Sequence, residues 1–204
     1  MAELPRLVIL APSHFCEKAL WALHRCRVPV TVEAQANLLP PGAQELCTRF
    51  DSGVGPDTRH LVYAHALGTA EVARALRSGV PWWQAFLFRA GAWPVVRAVM
   101  RKGFHIEPGC ADLALEHLRT EFSYVSSLLA DGRRYLVGDA FSGADLTFTA
   151  LALPVLPIPY GAAQTFATAR QPPVLQAAVD ELAATPAGLF AARIWAEERQ
   201  QVVG

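Results

Sequence analysis

The stretch YLVGDAFSGADLTFTALALP, residues 135–154, constrains the fold more than any other part of the chain. Ser142 is followed three positions later by Asp145, and then by Leu146, Phe148 and Leu151. A hydroxyl residue and a carboxylate at that spacing, ahead of an apolar run, form a capping box: the serine oxygen accepts from one orphan backbone N–H and the carboxylate reaches back to another. The pattern predicts a helix over about residues 143–153, stopped by Pro154, Pro157 and Pro159 because proline brings no N–H to the ladder. Asp145 is its only charged residue, so the helix has no evident solvent face and is expected to be surrounded by other helices.

The chain around this helix reads as helical from Gln44 onward. Leu46, Phe50, Val54, Leu61 and His65 recur at spacings that mark one face, with Gly55-Pro56 expected to kink or break the helix midway. Residues 112–130 form an amphipathic pattern through Leu115, Leu118, Phe122, Val125 and Leu129, ended by Asp131-Gly132. Residues 172–199 read as two helices split by Thr185-Pro186-Ala187-Gly188. Residues 80–106 concentrate three of the five tryptophans with Arg89, Arg97, Arg101 and Lys102. Two readings fit them: a surface helix with aromatic anchors, or helices whose apolar faces enter the core or a substrate cleft while their cations snorkel outward; the second is the expectation.

Ahead of the helices, residues 7–10 and 28–32 are short β-rich runs with a helical pattern through Ala19, Leu20, Trp21 and Leu23 between them. Strand, helix, strand is compatible with a small right-handed βαβ unit. Ser13 lies in the loop entering that helix, where free N–H groups and a partial positive charge favour an anion. A serine there also serves as a plain N-cap.

Several of these segments resemble one family. The run-up Tyr-Leu-Val-Gly-Asp and the continuation Ala-Asp-Leu-Thr resemble the core helix of the all-helical C-terminal domain of cytosolic glutathione transferases, in which the buried capping box of Ser142 and Asp145 would be a folding element. SHFCEKALWAL resembles the opening helix of the bacterial members, in a thioredoxin-like N-terminal domain. The resemblance puts Ser13 at the position of the catalytic serine or cysteine, His14 at that of the common proline, and Cys16 at that of the second redox cysteine. It implies that Ser13, His14 and Phe15 contact glutathione. Arg59-His60-Leu61-Val62-Tyr63 resembles the R-R-x-x-Y of related bacterial proteins, which makes Arg59 and Tyr63 candidates for the cleft between domains; an ordinary half-buried tyrosine is the other reading of Tyr63. TPAGLFAARIWAEER resembles the family's closing segment.

One stretch departs from the family. A thioredoxin-like domain continues after its second strand with a helix, two strands and a further helix, roughly 35 to 45 residues at ordinary element lengths. Here about eleven residues separate Val32 from Gln44, and Pro40-Pro41-Gly42 makes them a turn or linker. The missing piece is the one that, in the family, pairs with the cysteinyl part of glutathione and holds its γ-glutamyl carboxylate. The expected fold is mainly α: a truncated thioredoxin-like βαβ unit over residues 1–36, a linker over 37–43, and an all-helical glutathione transferase C-terminal-like domain over 44–204. An internally deleted record of a complete enzyme would read the same way.

Composition narrows the function classes. Among 204 residues, 18 basic and 18 acidic side chains cancel, so nothing points to nucleic acid. Cys16, Cys26, Cys47 and Cys110 are irregularly spaced and form no zinc pattern, which fits reduced thiols in the cytoplasm and no metal. No apolar run reaches the length of a membrane span, the start does not read as a signal peptide, and membrane association is not expected. Two functions remain. One is a glutathione transferase-like enzyme that uses glutathione as co-substrate and conjugates it to a small electrophile with Ser13 stabilising the thiolate; the open edges of its two strands would be covered by the helical domain or by a second subunit in a homodimer. The other is a non-catalytic protein of the same ancestry that binds an apolar small molecule or a partner after losing most of the glutathione site.

Overall fold

A computed structural model of the chain describes residues 6–9, 23, 25–34, 40–69, 82–87, 91–158 and 171–198. Ser13, His14, Phe15, Cys16 and Pro159 lie outside the described residues.

Two short strands, β1 (Arg6–Ile9) and β2 (Thr31–Ala34), pair in parallel, with Arg6 opposite Thr31 and Ile9 opposite Ala34. Parallel strands require a crossover, and Leu23 and Arg25 on that connection are helical. The second strand starts at Thr31 rather than at Val28 for a local reason. Arg27 takes a left-handed φ of 55° and the Val28 N–H donates to the Leu23 carbonyl at 3.0 Å, so Val28 closes the helix end, and Pro29 has no N–H for a ladder.

The rest of the described chain is helical: α1 (Ala43–Ser52), α2 (Val54–Ala66), α3 (Trp82–Leu87), α4 (Trp93–Gly103), α5 (Cys110–Leu128), α6 (Gly143–Ala152), α7 (Pro173–Ala183) and α8 (Pro186–Glu198). The expected break near Gly55-Pro56 falls earlier. It sits at Gly53, whose N–H bonds the Arg49 carbonyl at 2.9 Å to end α1. Pro56 then occupies the first turn of α2, where its missing N–H has no intrahelical acceptor to lose. One buried face nevertheless runs across the break through Leu46, Phe50, Val54 and Leu61. In α5 the predicted stripe buries Leu118, Phe122 and Val125, and Gly132, at φ 82°, ends the short 3-10 turn that follows.

Phe148 of α6 joins the bundle together. Its ring lies 5.2 Å from Phe50 of α1, 5.3 Å from Phe122 of α5 and 6.4 Å from Phe190 of α8, with all four rings buried. Aromatic contacts of this kind add to the area they bury, and removing such a ring costs about 3 to 5 kcal/mol. The expectation that α6 is surrounded on all sides is corrected in part, because Leu146 and Ala150 are exposed. Gly143, Ala144, Asp145, Phe148, Thr149 and Ala152 form its buried side. A 3-10 turn, Leu153–Val155, ends it at Pro154.

For a second expectation, entry into the core is corrected. Of α3 and α4, the segment expected to send its apolar face inward, Trp82, Trp83, Phe86, Val95 and Val99 are exposed. Helix α4 buries no residue fully and touches the core only through the partly buried Trp93 and Met100. Among the described residues no helix is long and apolar enough to cross a membrane.

Candidate functional site

The capping box is formed as the spacing of Ser142 and Asp145 predicts, and it does more than cap. Asp145 is fully buried; its Oδ2 accepts from the Ser142 N–H at 2.8 Å and from the Ser142 hydroxyl at 2.7 Å, closing the box. Its Oδ1 accepts from the Leu136 N–H at 2.7 Å, nine residues upstream. One carboxylate therefore fixes both the start of α6 and the turn that leads into it. Three donors are what a carboxylate removed from water requires. The Tyr135 hydroxyl donates to Glu198 at 2.8 Å, attaching that turn to α8. All of these donors are spoken for, so the constellation is a structural clamp and no chemistry can be assigned to it.

Arg59 and Tyr63, one turn apart on α2, meet at Phe104. The Arg59 guanidinium lies 5.3 Å from the Phe104 ring centre and the Tyr63 ring 5.5 Å from it, while His60 Nε2 bonds the Phe104 carbonyl at 2.9 Å. Phe104 is presented this way because α4 ends in a left-handed residue, His105 at φ 52°, with the Ile106 N–H donating back to the Arg101 carbonyl at 2.8 Å. The structure thus brings these two sequence-chosen residues together, and it brings Ser142 and Asp145 together elsewhere.

A cleft of about 240 Å³ opens between α2 and α5, lined by Ser52, Gly53, Asp57, His117, Thr120 and Glu121. Neither Arg59 nor Tyr63 lines it. His117 Nδ1 stands 3.6 Å from Asp57 Oδ2. Burial pushes the Asp57 carboxyl above its ordinary value, against the pull of His117 and His60, which lowers it. Glu121 is engaged by a two-pronged bond from Arg49, at 2.8 and 2.9 Å, and the same guanidinium lies 3.7 Å from the Tyr124 ring centre. The cleft's hydroxyls turn back onto their own helices, Ser52 to the Thr48 carbonyl at 2.9 Å and Thr120 to that of Glu116 at 3.0 Å. A carboxylate and an imidazole at this separation can exchange a proton directly or through a water, but among the described residues no nucleophile is aimed between them. Sequence reading missed this group because its members lie far apart in the chain and neither histidine spacing nor helical periodicity links them.

Cys47 receives a bond from the Thr147 hydroxyl at 3.5 Å, and burial raises its pKa, which makes it a packed thiol and a poor nucleophile. Among the described residues no three His, Cys, Asp or Glu side chains converge as a metal ion would need. No protein-family model, curated protein sequence or solved structure matches the chain.

Proposed function

We propose that this is a glutathione transferase-like protein in which Ser13 stabilises the thiolate of glutathione as it attacks a small electrophile. The observation that carries the reading is the buried Asp145, which holds the Leu136 and Ser142 amides at the start of a helix central to the bundle. It is the feature on which the family resemblance leans most, and it supports ancestry. The role of Ser13, with His14 and Phe15 beside it, rests on the resemblance of the segment that contains it. The parallel pairing of β1 and β2 is consistent with the opening of a thioredoxin-like unit, and the helices from α1 onward with the family's C-terminal domain.

The chemistry would be simple. A thiol is mostly protonated at neutral pH, and a hydroxyl donor together with a helix N-terminus stabilises its anion. The sulfur then forms a bond to the electrophilic carbon, whose leaving group departs with the electron pair; no metal takes part. Arg59 and Tyr63, joined at Phe104, are the proposed edge of the electrophile's cleft. A homodimer is proposed as the assembly, since a two-stranded sheet leaves open edges that a second copy can cover.

A second reading is favoured by one specific observation: β2 ends at Ala34 and α1 begins at Ala43, so only residues 35–42 are available for everything that would complete a glutathione cradle. On this reading the protein binds an apolar small molecule or a partner and has no transferase activity. A conjugation assay with glutathione and a chlorodinitrobenzene acceptor separates the two. Loss of a hydrogen bond to a charged sulfur, about 1.5 to 3 kcal/mol, predicts a fall of about ten- to hundredfold in Ser13→Ala. A rate indistinguishable from the uncatalysed reaction in the parent protein would overturn the enzyme reading.

A further inference from the structure

Helix α4 has two faces of different character. At about 100° per residue, Arg97, Met100 and Arg101 fall within about 80° of Trp93, whereas Val95, Val99 and Lys102 fall at least about 120° away from it. Trp93 and Met100 are partly buried against the core. Phe104, whose N–H bonds the Met100 carbonyl at 2.9 Å, continues that face past the helix end. Two of the three cations of α4, Arg97 and Arg101, therefore share the face that is turned inward, and Lys102 lies on the outer one.

The inward face meets α2. Arg97 lies at Gly68, just past the end of α2 and 3.6 Å from where a Cβ would stand, while Phe104 meets Arg59, His60 and Tyr63. Helix α4 thus runs back along α2, and the seam between them has the half-buried Tyr63, Met100 and Phe104 below and the exposed Arg59, Arg97 and Arg101 above. Arg101 donates to the Ile106 carbonyl at 3.4 Å, so it reaches the same turn whose Phe104 ring lies under Arg59. The acids near this seam leave its guanidinium groups alone. Asp57, the nearest on α2, faces His117 of α5 instead, residues 72–106 contain no Asp or Glu, and among the described residues no carboxylate pairs with Arg59, Arg97 or Arg101.

We propose that the seam between α2 and α4 binds a small organic anion with an aromatic body, its carboxylate facing Arg59 and Arg101 and its ring resting on Tyr63 and Phe104. A guanidinium fork matches a carboxylate in shape as well as charge, and the half-buried rings offer the apolar area that an aromatic body needs. A cationic ligand would meet three like charges there, and a neutral one would leave the guanidinium groups unused. The inference names the class of molecule for the cleft edge assigned above to Arg59 and Tyr63. It rests on that reading for the ligand's part in conjugation, whereas binding itself needs neither glutathione nor Ser13.

Calorimetric titration of the full chain, without glutathione, with 2-naphthoate and with its neutral isostere 2-naphthamide tests it. At up to about fivefold for each exposed ion pair, the naphthoate is expected to bind about 5- to 25-fold tighter than the amide. The double variant Arg59→Gln, Arg101→Gln should bring the two affinities together by weakening the naphthoate alone, with unchanged circular dichroism because both side chains are exposed. Lys102→Gln removes the same charge from the opposite side of α4 and should change neither affinity. Equal affinities in the parent, a double variant that still prefers the naphthoate, or a Lys102→Gln variant that loses the preference would overturn the proposal. Conjugation of chlorodinitrobenzene, measured in parallel, keeps two failures apart: conjugation without a preference for the naphthoate sinks this inference alone, and a charge-dependent preference without conjugation supports it while sinking the transferase reading.

Discussion

Replacing Asp145 by Ala removes an acceptor that serves three donors. The Leu136 and Ser142 amides, bonded at 2.7 and 2.8 Å, lose their partner in a site with no solvent access, while the Ser142 hydroxyl can rotate to another acceptor. A hydrogen bond to a charged group contributes about 1.5 to 3 kcal/mol net, so two lost backbone bonds are expected to cost about 3 to 6 kcal/mol. That exceeds the roughly 1 kcal/mol of an isolated helix cap, because the same carboxylate also holds the turn at Leu136. It is also a large share of the roughly 5 to 15 kcal/mol that a domain has in total. Asp145→Asn keeps one acceptor oxygen and should cost about 1 to 3 kcal/mol. Because Ser142 and Asp145 act as one unit, the cost of changing both should fall short of the sum of the single changes. Urea unfolding of the parent, both Asp145 variants, Ser142→Ala and the double variant measures these values, provided the slope with denaturant stays constant. An Asp145→Ala protein within 1 kcal/mol of the parent at equal slope would refute the reasoning, since neither amide could then depend on the carboxylate.

Three further outcomes follow from the same geometry. Thr149 is buried with a hydroxyl that bonds no group among the described residues, so Thr149→Val, which keeps the shape and removes the polar atom, should leave stability unchanged or raise it by up to about 1 kcal/mol in the same unfolding assay. A Cβ at Gly188 would overlap the Leu182 carbonyl and stand 2.8 Å from the Ala183 Cα, so Gly188→Ala should destabilise by about 1 to 3 kcal/mol or more, whereas Gly103→Ala, where a Cβ meets open space, should not. Hydrogen bonds from Arg133 hold Asp131 down to about 2; its contribution to stability is present above the ordinary carboxylate value and is lost as the pH falls from about 4 toward 2. Carboxyl chemical shifts should show Asp131 returning toward its ordinary value in Arg133→Ala, and an unmoved titration would contradict the assignment.

What the sequence revealed and what it hid divides along the range of the interactions. Ser142 and Asp145 were legible because a capping box is complete within four positions, and the face through Leu46, Phe50, Val54 and Leu61 was legible because helical spacing survives a break. The break itself was misplaced: Gly55-Pro56 is a strong local signal, yet proline fits the first turn of α2, and Gly53 ends α1 instead. The start of β2 was misjudged because nothing local says that Val28 will be used to close the preceding helix. The second duty of Asp145 toward Leu136, the meeting of Arg59 and Tyr63 at Phe104, and the approach of His117 to Asp57 are products of packing between distant segments. The exposure of Trp82 and Val95 was hidden for a related reason. A helix rich in apolar residues reads as core until its neighbours are known, and α4 has core on one side only. Ser13, His14 and Phe15 remain candidates through resemblance, outside the described residues.

The central functional claim is a transferase-like protein with Ser13 at the sulfur and only residues 35–42 in place of the rest of the glutathione cradle. Calorimetric titration of glutathione into the parent protein addresses it most directly. The account predicts measurable but weak binding, with a dissociation constant in roughly the millimolar range, or about −4 kcal/mol, because on the proposed reading the segment that would contact both ends of the tripeptide is absent. No heat at saturating glutathione, or binding in the micromolar range, would contradict it.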